Sequence, residues 1–381
     1  MEGSAHAPTL GGAHARPPAG AHAPRPTPPF TAEHERLRSE MRAFVAERLR
    51  PHADGWEEAE WFPSEVFRWV AEAGYLGLDD PVAAAVWVEE LARCGSGGLA
   101  AGLGAHAGIA LPPIRAFGTD EQKERYLVPG LRGELVAALA ITEPGAGSDV
   151  AAVRTDARRV DGGWVVNGAK TFITGGVRAD LLVTAVTTKP GGGHRGISFL
   201  IVERGPGVTA SPLRKLGWHA SDTAEIAFDD VFVPEENLLG REDQGFYLIM
   251  ANFQWERLLM ALGAVGAMQV CFEQTLDVAR GRGQAVRHAL AEVALRLEAG
   301  RAVTYAALRR HVAGEEAVRE VTMAKLATQR AAVEAIDACL QIHGFDAPPQ
   351  LERALRDARL GPIGGGTDEI MREILGRSLG L

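Results

Sequence analysis

Glu256 heads the run Glu256-Arg-Leu-Leu-Met-Ala-Leu-Gly-Ala-Val-Gly-Ala-Met268, where a carboxylate is out of place. Helical spacing puts Leu259, Met260, Gly263 and Ala267 on its own face, with Trp255, Leu258, Leu262 and Val265 on the neighbouring one. A helix apolar nearly all round is expected to be buried, and an ionisable group entering it needs a partner or a task. The task a lone acid there could perform is proton abstraction; the plain alternative is a helix-entry glutamate turned to water or paired with Arg257. Two further segments carry ligand-binding chemistry. Ile141-Thr-Glu-Pro-Gly-Ala-Gly-Ser-Asp149 packs hydroxyls (Thr142, Ser148) and glycines (Gly145, Gly147) into one loop, giving directional hydrogen bonds and close backbone approach to a flat ligand. Asn167-Gly-Ala-Lys-Thr-Phe-Ile-Thr-Gly175 places Phe172 and Thr174 on one side of a strand, able to stack on and hydrogen-bond to an aromatic group. A tight inter-strand turn and ordinary sheet packing are the competing readings of these two segments.

The elements that must position these groups follow from hydrophobic period. Residues 1–29 repeat an Ala/Gly/Pro pattern around His6, His14 and His22, a composition that cannot build a core and is expected to be a disordered tail. Residues 30–134 read as helical: Thr31 with His34 and Glu35 starts a helix running to Arg50, where Pro51 is expected to stop it. Helices then follow over Pro63–Ala73, Ala83–Arg93, Leu99–Phe117 and Asp120–Leu127. Gly95, Gly97 and Ala100 mimic a dinucleotide-binding glycine motif, but they follow a helix and no strand precedes them. From 135 to 240 the period shortens to alternating runs separated by turns such as Asp161-Gly162-Gly163, predicting an antiparallel β domain. From 241 to 381 the helical pattern returns, with runs over Phe246–Arg280, Ala285–Gly314, Ala317–Gly344, Leu351–Ala358 and Asp368–Arg377. The fold class is therefore α+β: a helical domain, a β domain, then a helical bundle.

Composition narrows the function. The 381 residues are 46% hydrophobic and 23% charged, an ordinary globular balance, and the net charge of −9 argues against binding a polyanion such as nucleic acid. Cys94, Cys271 and Cys339 are odd in number and widely spaced, the usage expected of reduced thiols in a cytoplasmic protein. No uninterrupted apolar stretch of membrane-spanning length and no signal-peptide pattern stands out. No His pair has metal spacing, and no Ser/His/Asp arrangement suggests nucleophilic catalysis.

Taken together, the Ile141–Asp149 and Asn167–Gly175 segments resemble the acyl-CoA dehydrogenase family. The resemblance extends through Gly217-Trp-His-Ala-Ser-Asp-Thr223, Phe228-Asp-Asp-Val-Phe-Val-Pro234, Gln341-Ile-His-Gly344, Leu355-Arg-Asp-Ala-Arg359 and Gly365-Gly-Thr-Asp-Glu-Ile-Met-Arg372, in the family's order from Phe30 to Leu381. It implies FAD held between the β domain and the bundle, usually in a homodimer or homotetramer. Carried over by position, Ile141, Thr142, Ser148, Phe172 and Thr174 would surround the isoalloxazine. Arg282, Gln341, Gly344, Thr367 and Glu369 would grip the pyrophosphate and adenosine, partly across a subunit boundary. Ser148, Gln254 and Arg257 would contact thioester and pantetheine, with Gly364 and Gly365 bordering the acyl group. The implied substrate is an acyl-CoA or an acyl group on a carrier protein, and the implied electron acceptor is a separate electron-transferring flavoprotein.

Many family members carry their catalytic base in the C-terminal turn, where this chain has Gly365. The isovaleryl and long-chain types instead place a glutamate on the bundle helix just before an arginine, which Glu256-Arg257 matches. The resemblance thus implies that Glu256 is the base. The chain departs from the family by short connections after Leu78, Arg282 and Gly344, the last two where one subunit reaches a neighbour's FAD. Weaker flavin retention or an altered oligomer is the expected consequence. Glycines at 364 and 365 are expected to widen the pocket toward branched or bulky acyl groups. Two other functions fit the same fold: a flavin monooxygenase, and a non-catalytic partner subunit of a hetero-oligomer.

Overall fold

The computed structural model describes residues 29–381; the His-bearing repeats lie outside the described residues. The N-terminal part comprises α1 (Ala32–Phe44), α2 (Ala53–Glu58), α3 (Glu65–Glu72), α4 (Pro81–Leu91), α5 (Gly97–Gly104), α6 (Leu111–Phe117), α7 (Asp120–Gln122) and α8 (Val128–Leu131). The middle part comprises β1 (Ala137–Ala140), β2 (Asp156–Val160), β3 (Gly163–Ile173), β4 (Leu181–Thr187), β5 (Ile197–Glu203), β6 (Val208–Pro212), β7 (Ala224–Pro234) and β8 (Leu238–Leu239). The bundle comprises α9 (Gly245–Ala279), α10 (Gln284–Val312), α11 (Val318–His343), α12 (Pro349–Ala358) and α13 (Asp368–Ser378).

Thr31 caps α1 as its sequence suggests: its hydroxyl accepts from the His34 amide, and the His34 ring returns a bond to the Thr31 amide. Pro51 does not stop the chain's helical course. A wide turn at Val45–Leu49 and a tight turn at Arg50–His52 precede α2, so Pro51 falls in a first turn, where a missing N–H costs little. Asp80 caps α4 by accepting from the Val82 amide (2.8 Å), with Pro81 at its first position.

The sheet runs β6-β7-β3-β2-β4-β5-β8, with β1 beside β4. It is not wholly antiparallel as expected. β1 lies parallel to β4, pairing Ala137 with Leu181 through Ala140 with Thr184, and one residue of β2 also bridges β4 in parallel. The long excursion between β1 and β4, which includes β2 and β3, returns the chain in the same direction, so the pairing cannot be a hairpin. Strand β6 carries little sequence signal, because Val208–Pro212 alternates weakly and leaves only Val208 buried.

The helical domain and the bundle share one core: Leu99 and Leu103 of α5 and Val86 and Leu91 of α4 lie in the same buried cluster as Leu258 and Leu262 of α9 and Leu308 of α10. Helix α9 is long and apolar enough to cross a membrane by composition alone, but half of its most apolar window is buried inside this assembly. Its apolar character serves packing on several sides. A second fastening is polar. The Asp357 carboxylate of α12 accepts from the Gly97 amide (3.0 Å) and the Trp218 amide (2.6 Å), so one side chain of the bundle ties both other domains. Burial pushes that carboxyl up to about 6 despite the two amide donors. Gly98 is needed at this seam, since a Cβ there would meet the Ser221 and Ala220 amides at 2.7 and 2.8 Å. Gly97, one of the glycines that mimic a phosphate motif, is likewise a close-approach residue between domains: a Cβ there would meet Asp357 Oδ2 at 2.6 Å and Trp218 Cδ1 at 2.8 Å.

Candidate active site

A cavity of about 1850 Å³ opens where the three domains meet, with Glu256, Arg257, Ile141, Thr142, Ser148, Phe172, Thr174, Gly364, Gly365 and Thr367 in its wall. Small-molecule pockets usually hold about 300–1,000 Å³, so the space suits more than one small molecule at once.

The β-domain wall is held rigid from beneath. Glu143 turns away from the cavity, and its carboxylate accepts from the Arg154 amide (2.7 Å), the Thr155 amide (2.8 Å), the Thr155 hydroxyl (2.6 Å) and the Lys170 ammonium (2.8 Å). Lys170 is fully buried and also donates to the Ile141 carbonyl at 3.1 Å. Burial raises the Glu143 carboxyl, but Lys170 and the hydrogen bonds outweigh it and hold the group below the usual range. Burial brings Lys170 down to about 8 against the pull of Glu143. This pair fixes the loop from Ile141 to Ser148 and was missed from sequence. The available signal was a glutamate and a lysine, each inside a motif otherwise made of small and apolar residues.

Phe172 projects from an irregular stretch of β3, where the register with β7 shifts between Lys170 and Ile173. Its backbone is left-handed (φ 58°) and its ring is 69% exposed. A phenyl ring held open in this conformation presents a flat apolar face to the cavity. The hydroxyls of Thr142, Ser148 and Thr174 have no hydrogen-bond partner among the described residues, and a Cβ on Gly145 would meet nothing. An open aromatic face, free hydroxyls and spare volume fit a planar group with polar edges, as an isoalloxazine is.

Glu256 on α9 lines the same cavity from the bundle. It is half-buried and opens onto the cavity, and its carboxylate makes no hydrogen bond or ion pair among the described residues. Burial pushes it up to about 7, with the Arg257 and Lys325 charges opposing. Arg257 donates from Nε to the Gly365 carbonyl at 3.1 Å and stands over the Phe253 ring, 5.4 Å from its centroid. Gly365 has φ 62°, and a Cβ built there would lie 3.6 Å from Glu256 Oε1. The turn position and the helix position therefore converge on one place from two elements.

The expected widening at the paired glycines is partly cancelled. A Cβ at Gly365 would meet Met260 Sδ at 2.5 Å, and one at Gly364 would lie 3.7 Å from Met260 Cε and 3.3 Å from Leu360 Cδ2. Met260, one turn beyond Glu256, fills the volume that the glycine vacates. Gln254, Arg282, Gln341, Gly344 and Glu369 do not reach the cavity wall. Arg282, Gln341 and Gly344 gather outside it at the adjoining ends of α9 and α11, where Arg282 Nη1 donates to the Ile342 carbonyl (2.8 Å) and Gln341 to Asp337 (2.7 Å). The neighbouring Phe345 is wholly exposed. Glu369 is exposed at the start of α13 and bonds Arg372 at 3.2 Å.

The chain belongs to the acyl-CoA dehydrogenase family. Sequence profiles of that family's N-terminal, middle and C-terminal domains match residues 31–134, 138–231 and 243–380. The protein is 35% identical to the mitochondrial long-chain specific acyl-CoA dehydrogenase of Mus musculus over 378 residues, covering 92% of this chain and 87% of the relative. It is 34% identical to the mitochondrial isovaleryl-CoA dehydrogenase of Solanum tuberosum over 378 residues, covering 92% and 91%. The crystal structure of an acyl-CoA dehydrogenase from Geobacillus kaustophilus superposes with a TM-score of 0.89 at 38% identity, covering 93% of this chain and all of that one. The protein is accordingly an FAD-dependent oxidoreductase of the acyl-CoA dehydrogenase type.

Proposed function

We propose that this protein removes the α and β hydrogens of an acyl thioester to give the 2-enoyl thioester, with Glu256 taking the α-proton. The observation that carries the reading is a carboxylate free of donors, raised to about 7, in the wall of the same cavity as Phe172 and the three free hydroxyls. A thioester α-proton is far too weakly acidic for a solvated carboxylate; burial narrows the gap by making Glu256 a stronger acceptor. FAD, when bound along the β-domain wall, would accept the hydride from the β-carbon. Ile141, Thr142, Ser148, Phe172 and Thr174 would hold its ring, with Thr367 beside the bundle. Ser148 and Arg257 would orient the thioester. The backbone near Gly365, only a side chain's breadth from Glu256, is suited to donate to the thioester carbonyl as negative charge develops on it. Arg282, Gln341, Gly344 and Glu369 face outward, as groups serving a neighbouring subunit's cofactor in a homodimer or homotetramer would. The acyl carrier is CoA or a carrier protein, and electrons leave to an electron-transferring flavoprotein.

The test is anaerobic mixing of the flavin-loaded protein with a panel of acyl thioesters while following visible absorbance. Bleaching by one class, abolished in Glu256→Gln, supports reaction and base together. A protein that stays oxidised with every thioester, or a Glu256→Gln variant that bleaches at the wild-type rate, refutes it.

A further inference from the structure

Lys325 takes no part in the proton transfer above, yet its side chain is 0% exposed. It sits on α11 within Thr322-Met-Ala-Lys-Leu-Ala-Thr328, an apolar setting that costs an ammonium several kcal/mol (~) unless something holds it. Its Nζ donates to the Gly366 carbonyl at 2.6 Å. From the other side, Arg257 Nε donates to the Gly365 carbonyl at 3.1 Å. Two cations from different helices thus grip consecutive carbonyls of one turn. Gly365 and Gly366 both have left-handed backbones, φ 62° and 96°, so this turn has the freedom of glycine and depends on such fasteners for a single shape.

The turn lies against the catalytic carboxylate, as the 3.6 Å from the Gly365 Cβ position to Glu256 Oε1 shows. Neither cation pairs with that carboxylate. A direct ion pair would occupy its lone pairs and make it a weak proton acceptor; a cation bonded to a carbonyl leaves those lone pairs free while still lending positive potential. We infer that Lys325 is a positioning residue of the active site: it fastens the glycine turn facing Glu256 and biases that carboxylate toward ionisation without pairing with it. The inference rests on Glu256 being the base. The charged groups around the pair are Arg257 on α9, Lys325 on α11, and Asp368 and Glu369 on α13. Burial draws Lys325 down to about 8, opposed first by Asp368. Loss of its charge therefore removes one of the two influences that hold Glu256 down.

The experiment uses flavin-loaded protein and two readouts: infrared titration of the Glu256 carboxyl, identified as the band missing in Glu256→Gln, and the pH profile of turnover. Lys325→Gln keeps a donor for the Gly366 carbonyl but removes the charge; the Glu256 midpoint is expected to rise by about one pH unit, a tenfold change in proton affinity. Lys325→Met removes donor and charge, and should show the same rise together with a fall in kcat, on the order of tenfold, that persists at high pH. Lys325→Arg keeps both and should leave the midpoint at or below that of the wild type. A folded Lys325→Gln with an unmoved midpoint overturns the inference. If the neutral variants do not fold, a raised midpoint in Lys325→Arg overturns it instead. Turnover at the wild-type rate in Glu256→Gln would sink the base assignment itself, whereas the infrared midpoint does not depend on turnover.

Discussion

Replacing Glu256 by glutamine should make the protein both far less active and, at alkaline pH, more stable. Burial raises the Glu256 carboxyl from its ordinary value to about 7. A displacement of that size corresponds to about 3 kcal/mol. Because the folded state binds this proton more tightly than the unfolded chain, the effect is a penalty that appears as pH rises. Below the ordinary carboxylate range both states are protonated and nothing is lost. Between that range and pH 7 the unfolded chain ionises first, and folding stability falls; above about 7 the full penalty stands. Glutamine has nearly the same shape and no charge, so it escapes the penalty. The stability gap between Glu256→Gln and wild type, measured by urea unfolding of flavin-free protein, should widen by about 2–3 kcal/mol between pH 5 and pH 8. Over the same interval wild-type kcat/KM should climb through a midpoint near 7, while the variant loses a factor of about 10²–10⁴, the usual contribution of a general base. A stability gap identical at pH 5 and pH 8 would refute the argument that burial sets this group's proton affinity.

Four further outcomes are expected. Lys170→Met strands the Glu143 carboxylate in the interior and should cost about 3–5 kcal/mol in thermal or urea unfolding, with much of the loss recovered in Lys170→Met/Glu143→Gln. Phe172→Ala, which removes an exposed ring, should leave flavin-free stability within about 0.5 kcal/mol and weaken flavin binding by fluorescence titration; an unchanged flavin affinity would count against the stacking role. Met260→Ala should open the volume beside Gly365 and shift kcat/KM toward bulkier or branched acyl thioesters, on the order of tenfold for one or two methylene groups, while a panel in which only short straight chains gain would contradict it. The short connections after Arg282 and Gly344 should give faster flavin loss on gel filtration, or an altered assembly mass, than family members with full-length loops. A tightly held flavin on a stable tetramer would dispose of that idea.

Much of the site was legible because residue type and period were at odds. An acid in an all-apolar helix drew attention to Glu256, and a glycine at 365 left the turn without a rival base. Phe172, Thr142, Ser148 and Thr174 came from short motifs, and the folded chain sets all four in the wall of one cavity, for which local spacing suffices. The residues set behind the site were not legible. Glu143 and Lys170 are 27 positions apart and become partners only because β1 and β3 approach in the folded domain. Lys325 acts on a turn 41 residues downstream. Strand β1 pairs in parallel with β4, which alternation of apolar residues cannot reveal, since it reports a face and not a direction. Pro51 continues the helical course instead of ending it because a proline is neutral in a first turn, and the preceding wide turn that puts it there has no signature in the side chains.

By itself the sequence determined the order of helical, β and helical domains, the presence of one misplaced acid, and the motifs that place the chain in its family. These depend on period and on neighbours a few residues away, which a linear chain displays directly. Tertiary structure alone decided that Met260 fills the space Gly365 leaves, that Asp357 ties three domains with one carboxylate, and that two cations grip the glycine turn and leave Glu256 unpaired. Each of those is a distance between atoms on separate elements. Such distances arise only when packing brings the elements together, and burial then sets the charge state of what they enclose.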